Sequence, residues 1–101
     1  MYYVYVIQSQ KDNKFYTGYT NNLRRRIKEH NSKTELSTNC RRPFRLVYYE
    51  GCVAKEDAIA REKYLKSGRG KKYIRSRIKY YLENFGTGRG MPRSKIPRTT
   101  L

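Results

Sequence analysis

Tyr16-Thr17-Gly18-Tyr19-Thr20-Asn21-Asn22-Leu23-Arg24-Arg25-Arg26-Ile27-Lys28-Glu29-His30 is the stretch whose reading decides the fold. Aromatic and β-branched residues give way to a basic, amphipathic run, so a strand leads straight into a helix. Thr20, Asn21 and Asn22 offer side-chain oxygens that cap a helix start by accepting from its first free N–H groups. Leu23 and Ile27, four apart, share the face that turns inward. Arg26 and His30, also four apart, flank that apolar stripe. A guanidinium and an imidazole at the edge of a buried face are partly desolvated and held in place, which suits the handling of phosphate. A basic surface helix with a dipole-favourable His in its last turn has the same pattern, and these residues alone favour that plainer reading.

Outward from this stretch, residues 2–8 are β-branched and aromatic and form a strand. Tyr3, Tyr5 and Ile7 point to one side and Tyr2, Val4 and Val6 to the other. Both sides need cover, so the strand is central. Lys11-Asp12-Asn13-Lys14 suits a hairpin loop, and Phe15 to Tyr19 is the returning strand. Gly18 within it marks a close approach of backbone or ligand. After a first helix over 22–31 comes a loop over 32–43, ending in Arg41-Arg42-Pro43. Phe44 to Cys52 alternates as a third strand. A second helix spans Lys55 to Lys66, with Ala58, Ile59 and Leu65 as its apolar side and Glu62 on that same side. Gly68 and Gly70 interrupt it. A third helix follows over about 71–83, with Tyr73, Ile74, Ile78, Tyr81 and Leu82 at helical spacing. The expected fold is α+β: a small three-stranded antiparallel sheet flanked by helices, in the order β-β-α-β-α-α. Residues 1–84 form the domain. Residues 85–101 form a Gly- and Pro-punctuated basic tail, expected to be disordered when free.

The chain has 101 residues, room for one domain, and Lys plus Arg outnumber Asp plus Glu by 24 to 8, a net charge of +16. The tail carries four of the positive charges (Arg89, Arg93, Lys95, Arg98), which leaves +12 on the domain itself. That excess points to a polyanion, with nucleic acid first. No apolar run approaches a membrane span, and no long apolar helix is present to anchor the chain on an anionic membrane surface. The amino terminus reads as a strand and not a signal peptide, so a cytoplasmic protein is expected; the sequence leaves the oligomeric state open, with a monomer favoured. Cys40, Cys52 and a single His make a poor zinc set, and the thiols are expected to be reduced.

Four features bear on chemistry. Tyr5 and Tyr16 stand on the two arms of the hairpin, where adjacent strands can place them side by side; on these two residues alone, ring packing is the favoured explanation of the pair. Arg26 can grip phosphate and steady a pentacoordinate transition state, whereas Arg24 and Arg25 project outward as backbone contacts. His30 can move a proton near neutral pH or serve as a structural residue. Glu62, inward on its helix, needs either a cationic partner or a metal. A lone carboxylate suits one Mg²⁺ or Mn²⁺ that keeps several waters, and argues against two-metal sites with carboxylate clusters.

Tyr3-Val4-Tyr5, then Tyr16-Thr17-Gly18, then Leu23, Arg26 and His30 on a helix and Glu62 on a later one, resembles the GIY-YIG nuclease superfamily. The likeness covers residues 2–82 and is to the small standalone bacterial branch, kin to the incision domain of bacterial excision repair and to certain homing endonucleases. Tyr-Val-Tyr stands for Gly-Ile-Tyr and Tyr-Thr-Gly for Tyr-Ile-Gly; the order of all the features is more specific than either tripeptide. The resemblance implies that Tyr5, Tyr16, Arg26, His30 and Glu62 are catalytic, with Glu62 the metal ligand and Gly18 the point of close approach. Where some members carry Lys after the second motif, this chain has Tyr19. The implied activity is a metal-dependent endonuclease on DNA, structured or branched, in repair or recombination, with RNA also open as a substrate. Lys63, Lys66, Arg69, Lys71 and Lys72, with Arg24 and Arg25, would track the backbone. The rival reading is a nucleic-acid-binding module that keeps the fold without catalysis.

Overall fold

The computed structural model describes residues 1–32 and 41–86. Three strands, β1 (Tyr2–Ser9), β2 (Phe15–Thr20) and β3 (Phe44–Cys52), form one antiparallel sheet in the order β2-β1-β3. The apolar central strand is thus covered on both faces, as its alternation requires. Val4 and Val6 enter one cluster, and Tyr5 and Ile7 the other. Helix α1 (Leu23–His30) covers the Tyr5 face through Leu23 and Ile27. Helices α2 (Lys55–Lys66) and α3 (Gly68–Arg77) cover the Val4 face through Ala58, Leu65 and Ile74.

The β1–β2 hairpin turns where Asn13 takes a left-handed conformation, φ 63°, which Asn tolerates better than most residues. Asp12 Oδ1 accepts from the Lys14 N–H at 2.9 Å, and that bond is the main cause holding the Asp12 carboxyl below its usual range. Helix α1 starts as its sequence directs: Asn22 is the N-cap, and its Oδ1 accepts from the Arg25 N–H at 3.1 Å.

The expected alternation of β3 breaks at one point. Val6 pairs with Tyr48 and Ile7 with Leu46, so Val47 is an extra, bulged residue. Val47 and Tyr48 therefore both face the helices, while Leu46 and Phe44 stay on the α1 side. Without the bulge, one half of β3 would present the wrong face.

The helical half departs from the sequence reading in three places. Ile59, assigned to the apolar side of α2, is 37% exposed, and the buried stripe there is Ala58 and Leu65. Gly68 and Gly70 do not separate two helices but lie in the first turn of α3, which Ser67 caps by accepting from the Gly70 N–H. A Cβ at Gly70 would overlap the Tyr64 carbonyl oxygen and Leu65 Cα, so glycine there allows α3 to cross close over the end of α2. The third helix is also not continuous. It stops at Arg77, and a short turn α4 (Lys79–Tyr81) and a π-helical turn over Leu82–Gly86 follow. Phe85 and Gly86 thus belong to the folded part; the remainder of the expected tail, 87–101, and Cys40 lie outside the described residues.

A polar network fastens β3 to α2 and α3. Arg61 Nε donates to Glu50 Oε1 at 2.5 Å, and Tyr48 Oη donates to Glu50 Oε2 at 2.7 Å. The Arg61 guanidinium lies between the rings of Tyr64 and Tyr73, 5.0 and 4.9 Å from their centroids. Burial pushes the Glu50 carboxyl up, but the bonds from Arg61 and Tyr48 outweigh it and hold the group below the usual carboxylate range. Burial, with the Tyr73 and Glu50 contacts, pushes the Tyr48 phenol above its usual value.

Candidate active site

Side chains from four elements meet at the free edge of the sheet. A cavity of about 380 Å³ is lined by Tyr5 of β1, by Tyr16, Thr17, Gly18 and Tyr19 of β2, by Arg26 and His30 of α1, and by Glu62 of α2. Successive residues of a strand face opposite ways, so a cavity that takes four in a row from β2 wraps around that edge strand. This is how a carboxylate on the α2 side comes to share a space with a guanidinium on the α1 side.

Tyr5 is 3% exposed and reaches the edge by lying over Gly18, its partner in register. A Cβ at Gly18 would stand 2.5 Å from Tyr5 Oη and 2.7 Å from Cζ, so only glycine leaves the ring this path. Tyr16 is opposite Ile7 and not Tyr5, which makes the two tyrosines diagonal neighbours on one face instead of a directly facing pair.

His30, 6% exposed, closes the back of the site. Its Nε2 is 2.8 Å from Tyr5 Oη, and its ring sits edge-on to Tyr5 and to Phe44, with centroids 5.7 and 5.8 Å away. Phe44 also packs edge-on against Tyr16 at 5.3 Å. One ring therefore wedges two of the expected site residues. Asn31 ties that wedge to α1: its Oδ1 accepts from the Phe44 N–H at 2.6 Å and its Nδ2 donates to the Phe44 carbonyl at 3.2 Å. Neither Phe44 nor Asn31 stood out in the sequence. A strand's first residue and a helix's C-cap carry no pattern that announces a contact thirteen residues apart.

Arg26 is partly sheltered, with its Nη1 3.0 Å from Glu29 Oε1. Glu62, its side chain 20% exposed, pairs with Lys66 Nζ at 3.2 Å. Among the described residues no ion pair joins Arg26 to Glu62, so cation and carboxylate flank the cavity without neutralising each other. Arg41, read only as the exit from a loop, donates through Nε to Tyr16 Oη at 3.2 Å and pairs with Asp12 Oδ2 at 3.1 Å. Its proximity depends on the fold of the hairpin and was not visible in the sequence.

The expected backbone contacts are all exposed: Arg24 and Arg25 on α1, Lys63 and Lys66 on α2, and Arg69, Lys71 and Lys72 in and just after the first turn of α3. Among the described residues no three of His, Cys, Asp and Glu come together as a metal cluster. No described helix is long and apolar enough to cross a membrane.

Comparison with known proteins gives the family and agrees with the fold. Residues 1–75 match the model of the GIY-YIG catalytic domain. The chain is 46% identical over 67 residues to UPF0213 protein CPE1444 of Clostridium perfringens, covering 65% of this chain and 71% of that one. It is 37% identical over 83 residues to UPF0213 protein YazA of Bacillus subtilis, covering 81% and 78%. The solution NMR structure of UPF0213 protein BH0048 from Bacillus halodurans superposes with a TM-score of 0.51 at 34% identity, over 91% of this chain and 100% of that one.

Proposed function

This chain belongs to the GIY-YIG family, and from that premise we propose that it is a metal-dependent endonuclease that hydrolyses phosphodiester bonds in DNA, acting on structured substrates in repair, recombination or related processing. The observation that carries the reading is the single cavity shared by Tyr5, Tyr16, Arg26, His30 and Glu62.

The metal fits the donors present. Among the described residues Glu62 is the one carboxylate lining the cavity, which suits a hard ion that keeps most of its waters and takes its other ligands from substrate phosphate. Glu62 would hold one Mg²⁺ or Mn²⁺, which when bound supplies Lewis-acid charge beside the phosphate.

The protein's own groups divide the remaining work. A phenol is a poor base near neutral pH because its ordinary pKa is about 10. Tyr5 differs from Tyr16 in having an imidazole nitrogen at hydrogen-bond distance. In the tautomer protonated at Nδ1, His30 Nε2 accepts the Tyr5 proton while Tyr5 Oη takes one from the attacking water. The oxygen then serves as a base without carrying a full negative charge. Tyr16, whose oxygen accepts from Arg41, keeps its own O–H to donate to a phosphate oxygen. Arg26 presents paired N–H groups to the charge that builds on phosphorus. The exposed cations of α1, α2 and α3 follow the backbone and make binding salt-dependent.

The test is a cleavage panel of branched, flapped, single-stranded and duplex DNA, with an RNA arm, in Mg²⁺ and Mn²⁺. Cutting that requires metal and is lost in Glu62→Ala and Arg26→Ala is expected. Binding without turnover across all metals and substrates would leave a non-catalytic binding module instead.

A further inference from the structure

The face of the sheet that α1 covers stays open at one end. Tyr49 stands opposite Tyr5 and Gly51 opposite Tyr3; directly opposed residues share a face, so all four lie on the α1 side. Tyr5 is buried there, but Tyr49 is 51% exposed and Met1 65%. The rings of Tyr3 and Tyr49 meet edge to face, with centroids 6.0 Å apart. A Cβ at Gly51 would stand 3.4 Å from Met1 Sδ and 3.6 Å from Tyr3 Cδ1, so Met1, Tyr3 and Tyr49 make one apolar strip. The charge beside it is positive. The eight residues of α1 hold four cations and one acid, Glu29, a net charge of +3. Glu29 pairs with Arg25 and Arg26, and Glu50, the neighbour of Tyr49 in β3, faces the helical side and pairs with Arg61. Asn31 holds the Phe44 backbone and so marks the flank of α1 turned toward β3. Exposed Lys28, three positions before Asn31, stands on that flank.

An exposed aromatic strip beside cations suits an anion that carries flat rings. A second copy of this chain brings the same net charge of +16 and is repelled. An acidic protein segment would use the cations, but nothing ties its place to the catalytic groups. A nucleic-acid strand uses every part: its phosphates meet the cations, and its bases stack on the rings whatever their sequence. Its path is also short. Tyr49 is the cross-strand partner of Tyr5, at a Cα spacing of about 5 Å, and basic α1 lies over the same face. We propose that the Tyr3–Tyr49 strip is a stacking surface for unpaired bases of the strand whose phosphate enters the catalytic cavity, with Tyr49 the principal ring. The inference rests on the nuclease reading above for that phosphate. A base held in duplex must first leave its stack, and that cost makes the surface select unpaired strands.

Fluorescence anisotropy in EDTA, at fixed salt, measures this apart from turnover. The probes are a short single-stranded DNA and the same backbone built of abasic sugars. The wild type is expected to bind the base-bearing strand about tenfold tighter than the abasic one. Tyr49→Ala is expected to lose about tenfold on the base-bearing strand and to bind the abasic strand as the wild type does. The chain has no tryptophan, so Tyr49→Trp supplies a direct signal: its emission is expected to be quenched by the base-bearing strand and not by the abasic one. That signal decides the matter where the Ala variant does not fold. Equal affinity of Tyr49→Ala and wild type for the base-bearing strand, or tryptophan emission indifferent to the bases, would overturn the proposal and leave the strip as a protein-docking face. Tyr49-dependent binding without cutting in Mg²⁺ supports the strip and removes only the hydrolytic reading; cutting with equal affinities does the reverse.

Discussion

The two edges of the sheet use the same chemical groups for opposite ends. Each gathers tyrosines around an arginine and a glutamate: Tyr5, Tyr16 and Tyr19 with Arg26 and Glu62 at the β2 edge, Tyr48, Tyr64 and Tyr73 with Arg61 and Glu50 at the β3 edge. At β3 the groups satisfy one another. The carboxylate takes the guanidinium on one oxygen and a phenol on the other. At β2 the cation and the carboxylate each lean on a neighbour along their own helix and face a cavity. The contrast teaches that composition does not make a site. A carboxylate already holding its arginine has little left for a ligand, whereas groups kept apart across a cavity can turn to a charge arriving between them.

The most direct attempt to break this comparison removes one hydroxyl from each edge. Tyr5→Phe and Tyr48→Phe each delete a hydrogen bond and should each cost about 1 kcal/mol in urea unfolding. Only Tyr5→Phe should lower cleavage, by about 10²–10⁴-fold, the usual contribution of a general base. Equal activity in the two variants would show that Tyr5 is a packing residue. His30→Gln, which keeps a hydrogen-bonding group but cannot take up the phenol proton, should lower cleavage as well.

Gly18→Ala tests the path of the Tyr5 ring. The added methyl group displaces the phenol, so cleavage should drop about tenfold or more, with an overpacking cost of about 1–3 kcal/mol in thermal unfolding. A variant that keeps full activity would mean that the ring position seen over Gly18 is not needed.

The smallest effect belongs to the β3 edge. Glu50→Gln should destabilise by about 1–2 kcal/mol, discounted for partial exposure, with cleavage per folded molecule unchanged. The carboxyl is held below its ordinary value of 4.5, so its stabilisation is present above that pH and is lost as pH falls through the lowered value. Wild-type denaturation midpoints should therefore decline on acidification below about 4.5 more steeply than those of the Gln variant. Parallel curves would mean that the pair adds nothing to stability.

Much of the fold could be read directly. Strand alternation at residues 2–8, the hairpin loop, the capped start of α1 and the limits of α2 all follow from local patterns. The misreadings have local causes too. Gly68 and Gly70 look like breakers because propensity penalises glycine in a helix, but at Gly70 the close crossing of α3 over α2 outweighs that cost. Ile59 looks like core because it is apolar, yet Ala58 and Leu65 already fill the stripe that meets the sheet. Val47 hides a bulge because a one-residue slip in pairing leaves no mark on an alternating sequence.

At the candidate site, the residue types and their order were legible because phosphate chemistry needs few kinds of group, and Arg26 and His30 share a helix face by spacing alone. Their meeting with Glu62 was implied by the family resemblance and not by any local pattern. It required β2 to lie at an edge, so that a side chain from α2 and side chains from α1 could reach around one strand. Phe44, Asn31 and Arg41 belong to the same class, since contacts between residues distant in the chain are set by packing. The amino-acid sequence by itself determined the elements, the charge and the candidate groups, because these depend on near neighbours. Tertiary structure alone decided which glutamate is locked and which is presented, because a carboxylate's role depends on what stands across from it in space.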